Sequence, residues 1–141
     1  MANTSFYKAV LLDHFRHPRN KGDLVGADVV VRGDNPRCGD EIEVGLFLRG
    51  NKLEQVKFRG RGCSVCIAAA SMMSEAVTGR SKEEAHHLCK EMHNWFGKGN
   101  GTDVNQPPDD LEALSAVREY PARRRCVLLS WDALSDAIAT L

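Results

Sequence analysis

The chain has 141 residues, with 19 Lys and Arg against 19 Asp and Glu, and 43% of its residues are apolar. This length supports a hydrophobic core without disulfides, and we expect residues 1–141 to form a single domain. A formal net charge of zero argues against a nucleic-acid partner. No apolar run reaches the ~20 residues of a bilayer span, and segment 1–15 has no small-residue cleavage site. We therefore predict a cytoplasmic protein with no membrane partner.

The first half of the chain carries the strand patterns. A helix is expected over 5–15, and a short strand follows at 29–31. Residues 41–48 alternate between polar and apolar side chains, and a turn at 49–52 leads into another strand over 53–58. This pattern predicts an antiparallel hairpin with one buried face.

The second half of the chain carries helical patterns, so the fold class is α+β. Ser81 and Glu84 predict a capping box at the start of one helix. We expect a flexible loop over 97–103 that ends at Pro107-Pro108. The predicted helices cover 63–78, 81–96, 109–119 and a last segment with the apolar stripe Val127, Trp131, Leu134 and Ile138.

The five cysteines are an odd number and are unevenly spaced, which argues against a disulfide framework. Cys38 lies in a stretch rich in Gly, Asn, Pro and Asp, which predicts an exposed turn. Cys63 and Cys126 are predicted at helix starts, where the helix dipole and nearby arginines favour a thiolate. Cys89 falls in the middle of a helix, and we interpret it as a packing residue.

Cys38 and Asp40 are separated only by Gly39, so both side chains can face one point. Together with Cys63 and Cys126 they would supply three thiolates and one carboxylate, enough for Zn²⁺ or an iron–sulfur cluster. The spacings of 25 and 63 residues between these cysteines match no zinc-ribbon pattern, however. The alternatives are a turn cysteine at 38, a buried helix residue at 126 and ordinary turn chemistry at Asp40. The histidines at 86, 87 and 93 are expected to face solvent.

Three motifs in order resemble the IscU/NifU N-terminal superfamily, most closely its SufU branch. They are Asn35-Pro36-x-Cys38-Gly39-Asp40, Gly60-x-Gly62-Cys63-Ser64 leading into Ala68-x-x-Ser71-Met72-Met73, and Pro121-Ala122-Arg123-x-x-Cys126. The similarity extends from the Tyr7 helix to the Trp131-x-Ala133-Leu134 segment. IscU-type members have His directly before the last cysteine, whereas this chain has Arg125, and the stretch between Cys63 and Cys126 is longer here. Both differences point to the SufU branch.

The resemblance implies an α+β domain with a three-stranded antiparallel sheet and helices packed on one face. It also implies a zinc-dependent sulfur acceptor in iron–sulfur cluster assembly, with a SufS-type cysteine desulfurase and other cluster-assembly proteins as partners. By motif match the metal ligands would be Cys38, Asp40, Cys63 and Cys126. Cys38 would be the sulfur acceptor, because its turn is expected to be the most mobile part of the set.

Two alternatives to this function remain from the sequence. The same four residues could hold a transient [2Fe–2S] cluster on a scaffold protein, or a zinc ion could stabilise an interaction module without chemistry. One residue departs from the family pattern, because Cys66 lies one helical turn after Cys63 on the same face. Cys66 could be a buried packing residue, replace a ligand, resolve a persulfide or form a disulfide with Cys63.

Overall fold

The computed structural model describes residues 4–36, 39–97, 109–117 and 120–141. The strands lie in the first half of the chain and most of the helices in the second, as predicted. In chain order the elements are α1 (Thr4–Arg16), β1 (Val29–Asn35), β2 (Asp40–Arg49), β3 (Lys52–Arg61), α2 (Ser64–Val77), α3 (Lys82–Gly97), a 3₁₀ helix (Asp109–Val117) and α4 (Pro121–Ala139).

The three strands form one antiparallel sheet in the order β1-β2-β3. The predicted hairpin is confirmed as β2 and β3, whose pairing runs from Arg49 and Lys52 at the turn to Glu41 and Arg61. β1 is longer than predicted, because residues 32–35 also pair with the start of β2. Ladder hydrogen bonds to a neighbouring strand outweigh the local turn preference of Gly, Asp and Asn at these positions.

One face of the sheet is buried beneath helices. Ile42, Val44 and Leu46 of β2 have no exposed surface, whereas Glu41 and Glu43 on the other face form ion pairs with arginines of the neighbouring strands. α2 and α4 pack on the buried face. The α+β fold with helices on one face of a three-stranded sheet is thus confirmed.

α2 is the central helix, and ten of its fourteen residues are buried. Its small residues Ala69 and Ala70 are fully buried, and side chains of this size allow close packing against the sheet. α1 is fixed to α2 by polar contacts, because Ser71 Oγ lies 2.8 Å from Nδ1 of the buried His14 and accepts a hydrogen bond of 2.9 Å from the Arg19 backbone N–H.

The predicted capping box of α3 is confirmed. Ser81 Oγ accepts from the Glu84 N–H at 3.1 Å, and the Glu84 carboxylate accepts from the Ser81 N–H at 2.9 Å. These reciprocal bonds lower the pKa of Glu84, mainly through the backbone N–H of Ser81.

The helix predicted over 109–119 is a 3₁₀ helix over Asp109–Val117, and positions 118–119 lie outside the described residues. Its inward residues Leu111, Leu114 and Val117 are spaced by three, which matches the three-residue turn of a 3₁₀ helix. Most of the expected loop over 97–103 and its end at Pro107-Pro108 lie outside the described residues, and Gly97 is the last residue of α3. No helix within the described part of the chain has both the length and the apolar character needed to cross a bilayer.

Candidate metal centre

Three of the four predicted ligands lie together in the structure. One ligand atom each from Asp40, Cys63 and Cys126 lies within 4.8 Å of the other two. Asp40 is the first residue of β2, Cys63 directly precedes α2, and Cys126 belongs to α4. The fold therefore brings residues from three separate elements to one end of the sheet.

Cys63 occupies the N-cap of α2, which confirms its predicted place at a helix start. Its backbone is extended, with φ −66° and ψ 167°, and its half-buried sulfur accepts a hydrogen bond from the Cys66 N–H at 3.4 Å. The buried Asp40 accepts from the Cys63 backbone N–H at 3.0 Å, and its other carboxylate oxygen lies 3.8 Å from Cys63 Sγ. Asp40 thus fixes the residue that begins the helix.

The prediction that Cys126 lies at a helix start is wrong. α4 begins at Pro121, and Cys126 is its sixth residue, in the second turn. Proline is favoured at the first position of a helix, and the arginines that follow are good helix formers, so the helix starts before the cysteine. Burial raises the pKa of the Cys126 thiol, and contact with Cys63 and Asp40 raises it further. In these surroundings the anionic form of Cys126 needs a nearby cation.

The donor set suits Zn²⁺. In a tetrahedral site with bonds of about 2.0–2.3 Å, ligand atoms lie roughly 3.3–3.8 Å apart, close to the 3.8 Å between Cys63 Sγ and Asp40 Oδ2. Two cysteine sulfurs and one carboxylate oxygen would hold the ion and leave a fourth position for another ligand.

Cys38, the fourth predicted ligand, lies outside the described residues, and its coordination stays a prediction. The described residues before and after it are held in the sheet, because Asn35, the last residue of β1, is paired with Asp40, the first residue of β2. Gly39 has φ +73°, a backbone conformation that glycine adopts readily, and its N–H donates to the Asn35 carbonyl at 2.9 Å.

Gly62 is a further residue of the candidate site. The motif Gly60-x-Gly62-Cys63 contains it but does not show its role. A Cβ at this position would lie 2.9 Å from Asp40 Oδ1 and 3.0 Å from Cys66 Sγ. The backbone before Cys63 therefore passes so close to the Asp40 carboxylate that a side chain would displace it. Because both distances are measured from the same point, they also show that Cys66 Sγ lies near the Asp40 carboxylate.

The remaining cysteine and histidine candidates do not belong to the group of Asp40, Cys63 and Cys126. Cys89 is 3% exposed and its sulfur lies near the Trp131 carbonyl; burial raises the pKa of Cys89 to about 12, which confirms a packing role. His87 and His93 are exposed, as expected, and pair with Glu91 and Asp132, whereas His86 is partly buried. Arg125 is exposed and lines, with His93, Asp132 and residues 34–36, a cleft of about 420 Å³ beside the β1–β2 connection.

Comparison with known proteins agrees with the predicted family. The NifU-like N terminal domain family matches residues 6–127. The chain belongs to this family. A relative from Bacillus subtilis (strain 168) named zinc-dependent sulfurtransferase SufU is 39% identical over 135 residues, which cover 96% of this chain and 90% of the relative. The resemblance to the IscU/NifU N-terminal superfamily and its SufU branch is thus confirmed.

Other proteins to which this chain is similar carry scaffold names. The iron–sulfur cluster assembly scaffold protein IscU of Streptococcus pyogenes serotype M1 is 36% identical over 132 residues, covering 94% of this chain and 82% of that protein. A crystal structure from Fervidobacterium islandicum AW-1, described as an iron–sulfur cluster assembly scaffold protein for the SUF system, has a TM-score of 0.85 and 30% identity. The superposition covers 97% of this chain and 99% of that one.

Proposed function

We propose that this protein is a zinc-binding sulfur acceptor in iron–sulfur cluster assembly that works with a SufS-type cysteine desulfurase in the cytoplasm. The observation that carries the proposal is the convergence of Asp40, Cys63 and Cys126, two sulfurs and one oxygen, within 4.8 Å of one another. The SufU name of the Bacillus subtilis relative supports the sulfurtransferase role over a purely structural zinc site.

In this proposal Asp40, Cys63 and Cys126 hold the zinc ion and Cys38 completes the set. Bound zinc would keep the cysteine sulfurs as thiolates while protecting them from side reactions. Asp40 provides the hard oxygen donor among soft sulfurs, and its hydrogen bond to the Cys63 N–H orients its carboxylate. Gly62 leaves room for that carboxylate at the site.

The sulfur transfer is a thiol exchange at Cys38. The Cys38 thiolate attacks the outer sulfur of the persulfide on the desulfurase cysteine, a new sulfur–sulfur bond forms at Cys38, and the desulfurase thiolate leaves. No net oxidation occurs, because one persulfide is consumed and one is made. The cleft lined by Arg125, His93, Asp132 and residues 34–36 is the surface on which we propose that the desulfurase docks.

A desulfurase activation assay tests the proposal. The zinc-loaded protein should accelerate sulfide release from L-cysteine by a SufS-type desulfurase, and Cys38→Ala should abolish the acceleration while the variant keeps its fold. Cys89→Ala is the matched control, because Cys89 is a buried cysteine that does not belong to the group of Asp40, Cys63 and Cys126, and its loss should leave activation unchanged. Full activation by Cys38→Ala, or purified protein without zinc by elemental analysis, would contradict the proposal.

The second candidate is a scaffold for a transient [2Fe–2S] cluster, and the IscU name of the Streptococcus pyogenes relative favours it. The same cysteines and Asp40 would then hold the cluster, with other cluster-assembly proteins as partners. Anaerobic reconstitution followed by visible absorption separates the two functions. Stable cluster uptake by a protein that does not retain zinc would support the scaffold, whereas zinc retention without cluster absorption would support the sulfur acceptor.

A further inference from the structure

We infer that Cys63 and Cys66 form a redox-active pair at the start of α2, which closes to a disulfide when a peroxide oxidises Cys63. Closure would take Cys63 out of the proposed metal centre, and a bound ion would then be released. The disulfide itself needs only the fold, whereas its effect on the metal rests on the proposed zinc site.

The two cysteines occupy the N-cap and the third position of the same helix. The Cys66 N–H donates to Cys63 Sγ at 3.4 Å, so the sulfur of Cys63 already lies over the backbone of residue 66. Neighbouring side chains three residues apart on a helix have Cβ atoms about 5–6 Å apart, and a disulfide needs about 3.5–4.5 Å. Because the N-cap residue lies outside the helical conformation, its backbone can close this gap without disturbing the turns that follow.

The Cys66 side chain points back toward the metal site. A Cβ on Gly62 would lie 3.0 Å from Cys66 Sγ and 2.9 Å from Asp40 Oδ1, so both atoms lie within about 3 Å of one point. Helical side chains point toward the N-terminus of their helix, which is the direction of Cys63 here. Glycine at 62 therefore keeps the space between the Cys66 sulfur and the Asp40 carboxylate clear of a side chain.

The two sulfurs differ in accessibility, and this difference sets the order of events. Cys63 is half-buried, whereas Cys66 has no exposed surface. A small oxidant therefore reaches Cys63 first, and Cys66 is protected until Cys63 has reacted. This is the arrangement of an attacked cysteine beside a resolving cysteine.

The chemistry balances with a peroxide as the oxidant. The Cys63 thiolate attacks one peroxide oxygen and becomes a sulfenic acid, while the other oxygen leaves as hydroxide or alkoxide and takes up a proton from solvent. The Cys66 thiol then attacks Cys63 Sγ, the sulfur–sulfur bond forms and the sulfenic oxygen leaves as water. Two thiols lose two electrons, and the peroxide gains them.

A disulfide sulfur has no negative charge and is a much weaker zinc ligand than a thiolate. Of the three described ligands only Asp40 and Cys126 would remain, and zinc would be released. A thiol reductant would restore Cys63 and allow the ion to bind again. The pair would thus make zinc binding at the proposed metal centre depend on the concentration of peroxide.

Cys126 is the main competitor for Cys63, since its sulfur lies within 4.8 Å of the Cys63 sulfur. Cys126 belongs to a different helix, and a bond to it would have to pull α4 toward α2 within a closely packed core. Cys66 lies in the same helical turn as Cys63, so the bond closes a loop of only a few residues within one element.

Peptide mapping of the zinc-loaded full chain treated with hydrogen peroxide tests the inference, with released zinc followed by a metal-binding dye. We expect one disulfide between Cys63 and Cys66, zinc release in step with it, and recovery of both on adding dithiothreitol and zinc. Cys66→Ser and Cys66→Ala should bind zinc like the wild type but lose reversible release, with Cys63 proceeding to sulfinic acid. The control Cys89→Ala should behave like the wild type.

A disulfide from Cys63 to Cys126 or Cys38, or reversible zinc release from both Cys66 variants, would overturn the inference. If the variants do not fold, the mapping of the wild type still decides. The test also separates the inference from the proposed function: a protein that binds no zinc but forms the Cys63–Cys66 disulfide refutes only the zinc site, and a zinc-bound protein without that disulfide refutes only the inference.

Discussion

The backbone N–H of Cys63 donates a hydrogen bond of 3.0 Å to Oδ1 of Asp40, although 23 positions separate the two residues. This bond joins the first residue of β2 to the N-cap of α2. Asp40 is almost fully buried, and its second carboxylate oxygen faces the sulfur of Cys63 at 3.8 Å. One side chain therefore both fixes the start of the helix and places an oxygen among the three groups that could hold a metal ion.

Replacement of Asp40 should lower both the stability of the metal-free protein and its affinity for zinc. Asp40→Ala removes the acceptor for a partly buried N–H, and we expect the free energy of unfolding of the metal-free protein to fall by about 1–3 kcal/mol. Zinc affinity should fall as well, measured by titration against a competing chelator. Asp28→Ala is the matched control, because exposed Asp28 accepts from the Leu48 N–H at 2.7 Å away from the site. Unchanged zinc affinity in Asp40→Ala would contradict the ligand assignment.

Gly62→Ala tests the close approach of the backbone to the ligands. The added Cβ would lie 2.9 Å from Asp40 Oδ1 and must displace the carboxylate. We expect zinc affinity to fall roughly 10- to 100-fold, as for other groups that orient a ligand, while the fold persists. Gly22→Ala serves as the control, since a Cβ there has no neighbour within 4 Å among the described residues. Equal zinc affinity in the two variants would show that the contact at Gly62 has no effect on the site.

The contact between α1 and α2 predicts a stability effect unrelated to the metal. Ser71→Ala removes the hydroxyl that contacts His14 Nδ1 and the Arg19 N–H, and we expect a loss of about 1–3 kcal/mol in the free energy of unfolding. Ser130→Ala is a matched control, because its buried hydroxyl has no hydrogen-bond partner in the described part of the chain. Urea denaturation should find that control as stable as the wild type or more so. The prediction is refuted if the two variants are equally stable.

The capping box of α3 predicts a pH effect on stability. The hydrogen bonds from Ser81 lower the pKa of Glu84 in the folded state below its ordinary value of 4.5. The contribution of Glu84 to stability is therefore fully present above that value and is lost as the pH falls through the lower pKa of the folded state. Glu84→Gln should lower the melting temperature near pH 7, and the difference from the wild type should shrink in acid. A difference that grows in acid would contradict this assignment.

Local patterns in the sequence account for most of the fold. The alternation over 41–48 predicts β2 and its buried face, and the pair Ser81 and Glu84 predicts the start of α3. The sequence predicts the limits of an element less accurately when those limits depend on pairing with another strand. β1 continues through Asn35 because β2 pairs with it, and no pattern within the segment itself carries that information.

Part of the site was also readable from the sequence. The motifs identified Asp40, Cys63 and Cys126, which the structure brings together, but the position of Cys126 within α4 was wrong because Pro121 already starts the helix. The role of Gly62 could not be predicted, since it depends on how closely β2 approaches the chain before α2. A close contact between residues far apart in the chain can be seen only in the packed structure.

The most direct test of the proposed function is the mass of the Cys38 peptide after the zinc-loaded protein is incubated with a SufS-type cysteine desulfurase and L-cysteine. Sulfur acceptance at this site predicts that the peptide gains one sulfur atom, and that dithiothreitol removes it. A Cys38 peptide that gains no sulfur while the desulfurase turns over, or sulfur found mainly on another cysteine, would contradict the proposal.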